Sequence, residues 1–280
     1  MGFDNIMIFS KHLKGMPLAD AAKMLDAAGI HAIDLTVRKN GHVEPTAVED
    51  QLPAAAQTLK QNGIRIGMIT TEITDPANPL TGRILRTATK LGITHYKLGY
   101  YPYQGFGTLR AQRREVAAKL KDLAAMNLEI GIRGGFHNHC EDSLGASLWD
   151  IDFLLNGIDP KAIGLYFDPM HATVEGGSAG WLMALDLLAD RIIMLAVKDF
   201  RWLNDKHGYG GGRLHSIEMC PLESGNTQWP QVIEILKKIN FDGPISFHGE
   251  YQGKFSFRDL TSEQVIEQTA ADLKVFQSWL

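Results

Sequence analysis

Groups able to do acid–base or ligand chemistry recur in tight sets: His137-Asn-His139, Asp168-Pro-Met-His171, Lys198-Asp199 and His248-Gly-Glu250. Each set directly follows a short apolar run. On an extended strand end, residues two apart point the same way, so His137 with His139, and His248 with Glu250, each offer two groups to one side. Such pairs serve as metal ligands or as acid–base partners. The plainer alternatives are a satisfied or surface pair for each doublet, a helix cap for Asp168 and an ordinary salt bridge for Lys198. A lysine at that position is also suited to neutralise an enolate or to bind a hydroxyl.

Further polar residues follow the other apolar runs: Lys11 and His12; Arg38, His42 and Glu44; Thr71 and Glu72; and Lys97 ahead of Tyr100-Tyr101. Seven of the ten histidines (His12, His42, His137, His139, His171, His215, His248) fall at run ends or on one long loop. His31, His95 and His207 are the exceptions. His31 and His95 precede runs, at what would be the opposite rim. Tyr100, Tyr101, Tyr103, Phe106 and Trp202 are placed to floor a sugar site, since aromatic faces pack on sugar C–H surfaces; simple packing is the alternative.

The elements that must position these groups are legible as two alternating textures. The apolar runs are Asn5–Phe9, Ala32–Leu35, Ile64–Thr70, Thr94–Leu98, Glu129–Phe136, Ile163–Phe167, Ile192–Val197 and Pro244–Phe247. They fit strands buried on both faces of a parallel sheet. Between them lie helical periods, such as Leu109, Arg113, Val116, Leu120 and Leu123, or Ile266, Ala270, Leu273 and Phe276. Thr46 with Glu49, and Thr261 with Gln264, have capping-box spacing. Gly29, Gly63 and Gly92, and Asn127 in the same role, are expected to stop helices. Eight strand–helix units at roughly 30-residue spacing predict one (β/α)8 TIM barrel over residues 1–280, with active groups on the loops after the strands. Arg201–Asn226, with little periodicity, reads as an extended functional loop.

The chain has 280 residues with a formal net charge of −4, which argues against a nucleic-acid or anionic-membrane partner. Cys140 and Cys220 make neither a disulfide framework nor a CxxC site and read as reduced thiols of a cytoplasmic protein. No signal peptide or membrane-length apolar run is evident. A small-molecule sugar is the expected partner, with homo-oligomerisation open.

Six segments carry a family resemblance: Phe9-Ser-Lys-His12; Asp34-Leu-Thr-Val-Arg38 with Gly41-His-Val43; Phe136-His-Asn-His139; Phe167-Asp-Pro-Met-His171; Val197-Lys-Asp199; and Pro244–Tyr251. Together they resemble the sugar phosphate isomerase/epimerase superfamily, the xylose-isomerase-like barrels that include ketose 3-epimerases, inosose dehydratases and endonuclease-IV-like enzymes. In its ketose 3-epimerases a divalent metal is held by a glutamate after strand five, an aspartate after strand six, a histidine on strand seven and a glutamate on strand eight. Carried over by position, these fall on His137, Asp168, Ala196 and His248. His171 matches a substrate-side histidine of the group.

The resemblance therefore implies either a rearranged site for Mn, Mg, Zn or Co, built from His137, Asp168 and His248 with Glu250 near, or no metal. The expected chemistry is proton abstraction next to a sugar carbonyl, giving isomerisation, epimerisation or elimination. Glu72, Glu250 or a strand-end histidine would be the base, and His171 and Lys198 would be catalytic partners. His12, Arg38, His42, Lys97, Tyr101, His139, Trp202 and His215 would bind substrate. The rival readings are a metal-dependent DNA hydrolase and a non-catalytic sugar-binding barrel.

Overall fold

Short β-rich runs with glycine stops behind them can bury both faces only if every strand has two strand neighbours and a helix outside. That is the arrangement found. A computed structural model describes residues 5–204 and 215–280. The eight barrel strands are β1 (Ile6–Phe9), β2 (Ala32–Val37), β3 (Arg65–Thr71), β4 (His95–Lys97), β5 (Arg133–His137), β6 (Ile163–Phe167), β7 (Ile192–Val197) and β10 (Ile245–Phe247). All pair in parallel, and β10 closes the ring between β7 and β1. The expected (β/α)8 barrel is thus present.

Alternation along each strand divides the apolar residues between two environments. Ile8, Ile33, Leu35, Ile69, Leu165, Leu195, Val197, Ile245 and Phe247 belong to the large core shared with the helices. Met7, Ala32, Met68, Tyr166, Met194 and Ala196 pack together in a second, smaller cluster. Gly135 on β5 is held small by this packing, because a Cβ there would meet the Met194 side chain and Tyr166 Cβ. The inward parity runs on to His137, Asp168, Lys198 and His248 at the strand ends.

Helices α1 (Leu18–Ala27), α2 (Val48–Gln61), α3 (Pro79–Lys90) and α4 (Leu109–Ile130) each follow a strand, and a positive-φ glycine follows each of them. Gly29, Gly63 and Gly92 play this part as expected. After α4 the terminator is Gly131 (φ 80°) and not Asn127. Asn127 is buried inside α4, where its Oδ1 accepts from the Tyr96 hydroxyl (3.1 Å) and its Nδ2 donates to the Ala162 carbonyl (3.0 Å). Glu129 and Ile130 are accordingly helical, and the fifth strand begins later than the apolar run suggested. Thr46 also departs from expectation: it lies in a 3-10 turn, Pro45–Ala47, ahead of α2, which starts without a side-chain cap. The capping box at Thr261 and Gln264 forms at the start of α9 (Ser262–Ser278).

The remaining helices are α5 (Leu148–Leu154), α6 (Pro169–Gly176), α7 (Gly180–Leu188) and α8 (Trp229–Lys238). The expected loop after the seventh strand carries structure of its own. β8 (Asp199–Asn204) and β9 (His215–Cys220) pair antiparallel over six residue pairs. Phe200 and Met219 from this ribbon pack on Met170 of α6. The glycine cluster Gly208, Gly210, Gly211 and Gly212, with His207, lies outside the described residues. Among the described residues no helix is long and apolar enough to cross a membrane.

Replacing Asn127 by alanine strands the Tyr96 hydroxyl in the core and opens a void. Chemical denaturation should show a loss of about 2 kcal/mol or more. A loss within error of zero would mean that Asn127 does not hold β4 and β6 to α4.

Candidate functional site at the barrel mouth

The positioning starts with Asn138, which follows β5. Its Oδ1 accepts from the Asp168 backbone N–H (2.8 Å), and its Nδ2 donates to the Asp168 carbonyl (2.8 Å). This two-bond clamp ties the ends of β5 and β6 together. Asp168 then caps α6, its Oδ1 accepting from the His171 N–H at 3.0 Å. The helix-cap alternative for Asp168 is therefore true, and it uses only one oxygen.

The other oxygen is the centre of the site. Asp168 Oδ2 has His137 Nε2 at 3.2 Å, Lys198 Nζ at 3.4 Å and His171 Nε2 at 3.7 Å. Lys198 Nζ donates to His171 Nε2 (2.7 Å) and stands 3.5 Å from Glu250 Oε1. Glu250 also faces Lys11 Nζ at 3.9 Å and His248 Nδ1 at 4.0 Å. The Tyr166 hydroxyl hydrogen-bonds His248 Nε2 at 2.9 Å, and the Tyr100 hydroxyl bonds His137 Nδ1 at 3.2 Å. His137, Asp168, His171, Lys198 and His248, far apart in the chain, thus meet at one mouth.

These contacts fix charge states. Asp168 only accepts, so in a neutral ring His137 carries its proton on Nε2 and receives the Tyr100 hydroxyl on Nδ1. Burial, with Lys97 and Lys198 behind it, holds His137 well below the ordinary imidazole value. Burial and Lys198 do the same to His171 and His248. Burial alone would lower the Lys198 ammonium, but Asp168 and Glu250 overcome that and raise it. For Glu250 burial works upward, and Lys198, Lys11 and His248 together pull it below the ordinary carboxyl range. The centre is a charged lysine between two carboxylates, walled by neutral histidines.

The other expected residues divide. The His139 ring lies tilted against His171, centres 4.0 Å apart, and against Tyr100 at 4.9 Å, with Nδ1 on the Cys140 carbonyl at 2.7 Å. His12 is held by Gln252 Oε1 on Nδ1 (3.0 Å), while its Nε2 is buried without a partner. Arg38 lies 5.8 Å over the Phe9 ring, and Phe9 in turn packs on His248. His42 joins Thr36 through Nδ1 at 3.0 Å. Lys97 is buried over the Tyr100 ring (3.6 Å), its Nζ donating to the Leu98 carbonyl. Burial and Arg38 press Lys97 down to about 7, against the pull of Asp34 and Glu72.

Tyr101 is used for packing: it stacks on Phe136, and its hydroxyl donates to the Thr74 carbonyl at 2.8 Å. Trp202 sits half-exposed on β8, edge-on to Phe200. Glu72 is exposed and lines a side groove with Val37, Lys39, Glu44, Thr74 and Leu80, where its charge acts on Lys97. The side chain of His215 lies outside the described residues. Tyr166, Asn138 and Cys140 are site residues that patterning missed. Cys140 Sγ stands 3.0 Å from His171 Nδ1, and burial pushes its thiol up to about 12.

A closed parallel barrel with a charged, histidine-walled mouth defines the class of the protein, and sequence comparison gives its family. The chain belongs to the xylose isomerase-like TIM barrel family, which matches residues 20–277. An uncharacterised protein of Methanocaldococcus jannaschii is 26% identical over 133 residues, 47% of this chain; the match covers 41% of that relative. Among solved structures, a xylose isomerase-like TIM barrel protein from Mycobacterium smegmatis in complex with magnesium is similar with a TM-score of 0.71 at 18% identity, over 96% of this chain and 92% of that one. D-psicose 3-epimerase from Clostridium cellulolyticum H10 gives 0.70 at 13% identity, over 98% of each chain.

The divalent ion expected from the family does not fit at Asp168. Ala196 presents a methyl group within the inner cluster. The oxygen that would ligate an ion already faces the Lys198 ammonium. Among the described residues, His139, Cys140 and His171 bring ligand atoms within 4.8 Å of one another. A thiol with imidazoles favours zinc over magnesium or manganese.

Below the site, Asp34 is fully buried, with Thr70 Oγ1 donating to Oδ1 (2.8 Å) and Ser246 Oγ to Oδ2 (2.9 Å). Burial raises its carboxyl to about 7 despite those hydroxyls, Lys97 and Arg38. A carboxyl raised on folding contributes stability that is complete below its unfolded value and is lost as pH climbs through about 7. Asp34→Asn lacks that loss. Its stability relative to wild type should therefore rise by about 2–3 kcal/mol between about pH 5 and about pH 8 in urea melts. An unchanged difference between the two pH values would refute the buried, protonated carboxyl.

Proposed function

We propose that this protein is a sugar isomerase, epimerase or related lyase that removes a proton next to a carbonyl. The observation carrying the reading is the Lys198 ammonium, buried and held between Asp168 and Glu250 at 3.4 and 3.5 Å. A fixed positive charge in a water-poor site stabilises an oxyanion far better than one in bulk water.

Glu250 is the base. Its side chain is 23% exposed while Asp168 is fully covered, so it is the carboxylate a substrate reaches. Lys198 is itself only 1% exposed, so a carbonyl oxygen seated beside Glu250 has to draw the ammonium out toward the mouth, which leaves Glu250 with less positive charge and makes it more basic. The C–H proton goes to Glu250, the C–H electron pair becomes the enediolate double bond, and the carbonyl electron pair moves onto the oxygen facing Lys198. Return of a proton to the opposite face of the same carbon, from an acid on that face, is epimerisation; return to the former carbonyl carbon, with the α-hydroxyl proton passing to the former carbonyl oxygen, is isomerisation. Loss of a β-hydroxyl is elimination. The unpartnered His12 Nε2 suits a sugar hydroxyl, and the exposed Tyr100 face suits sugar C–H surface.

Proton abstraction is visible without knowing the product. In D2O, a panel of ketoses and keto-sugars should show deuterium entering next to the carbonyl by NMR, and Glu250→Gln should slow this by about 10²–10⁴-fold. Calorimetric binding of a sugar with no exchange would point to a non-catalytic binding barrel. Exchange at the wild-type rate in Glu250→Gln would remove Glu250 as the base.

A further inference from the structure

We infer that Lys198 occupies the place of the divalent ion expected at this position and supplies a single positive charge there, so that the Asp168 site is built to exclude such an ion. The inference rests on family membership and geometry, and it holds whether or not the proposed reaction is correct.

Three observations carry it. First, the ammonium is bound as a cation is bound. Its partners are Asp168 Oδ2 at 3.4 Å, Glu250 Oε1 at 3.5 Å and His171 Nε2 at 2.7 Å, and the lysine is 1% exposed. Second, the surrounding donors are turned to internal partners. His137 Nε2 is on Asp168, its Nδ1 is on Tyr100, and His248 Nε2 is on Tyr166. Third, the strand-seven position that would complete a ligand set is Ala196, two residues before Lys198 on the same inward parity. The methyl group vacates the volume a ligand would fill, and the next inward side chain brings the charge. A divalent ion against Asp168 would stand beside an ammonium and find too few free donors.

The test uses the purified full chain and Mn2+, an ion that prefers oxygen and imidazole and is not drawn to the Cys140 thiol. Wild type should leave the EPR signal of free Mn2+ undiminished and should melt at the same temperature with Mn2+ or with EDTA. Lys198→Met leaves Asp168 without its cation and Glu250 with only Lys11, and should melt lower. Adding Ala196→His to Lys198→Met should create Mn2+ binding, seen as loss of the free-ion signal and as a rise in Tm of roughly 5 °C at about a hundredfold excess over Kd. Mn2+ binding by wild type that Asp168→Asn abolishes would overturn the inference. So would a folded double variant, with native circular dichroism, that ignores Mn2+. Should the variants not fold, the wild-type titration decides alone.

Discussion

Asp168 and Lys198 meet where almost no water reaches, and the rest of the site is arranged around that pair. A lone buried charge is prohibitively costly, and a buried pair is tolerable only when its remaining hydrogen-bonding capacity is filled. Asp168 spends one oxygen on the α6 N-terminus and shares the other among His137, His171 and Lys198. Lys198 is completed by His171 and Glu250. Removing one partner from such a pair costs about 3–5 kcal/mol, because the other is left uncompensated. The three histidines stay neutral first because burial disfavours their charged form, and the ammonium already in place adds to that.

The barrel makes this pair possible by simple alternation. Inward positions two apart on a strand place a packing residue low and a polar residue high: Gly135 below His137, Tyr166 below Asp168, Ala196 below Lys198, Ser246 below His248. The lower layer is not inert. Tyr166 reaches up to His248, and Ser246 reaches across to Asp34. The mouth therefore stands on a hydrogen-bonded floor, which limits how far the charged groups can relax. Rigid placement of charge is what electrostatic catalysis requires.

Strand runs, glycine stops and the position of polar residues after strands were legible because each has a local cause. The apolar period marks burial, and Gly29, Gly63 and Gly92 mark left-handed turns. Convergence of His137, Asp168, His171, Lys198 and His248 followed once the barrel was assumed. What stayed hidden depends on contacts between distant residues. Asn127 has the composition of a helix stop, yet its amide is a buried bridge between Tyr96 and Ala162. Asn138 lay between two histidines, and nothing local marks it as the clamp on Asp168. Tyr166 looked like core. Glu72 and Glu250 were equal candidates by position, and only the fold separates an exposed groove residue from the carboxylate beside Lys198.

The replacements at this mouth make sense together and not singly. The ligand set implied by the resemblance has three carboxylates around one doubly charged ion, leaving one negative charge. This mouth has two carboxylates, Asp168 and Glu250, with the Lys198 ammonium between them and Lys11 at 3.9 Å from Glu250. Relative to the set that the resemblance implies, histidines stand at positions 137 and 248, Glu250 supplies one carboxylate just beyond the strand, and Lys198, with Lys11 beside Glu250, supplies the positive charge. Loss of the ion alone would leave clustered carboxylates repelling one another in low dielectric, and gain of the lysine alone would set an ammonium against a metal. Losing carboxylates together with the ion and gaining a lysine avoids both penalties, so Ala196 fits the inference drawn above as one part of a coordinated exchange.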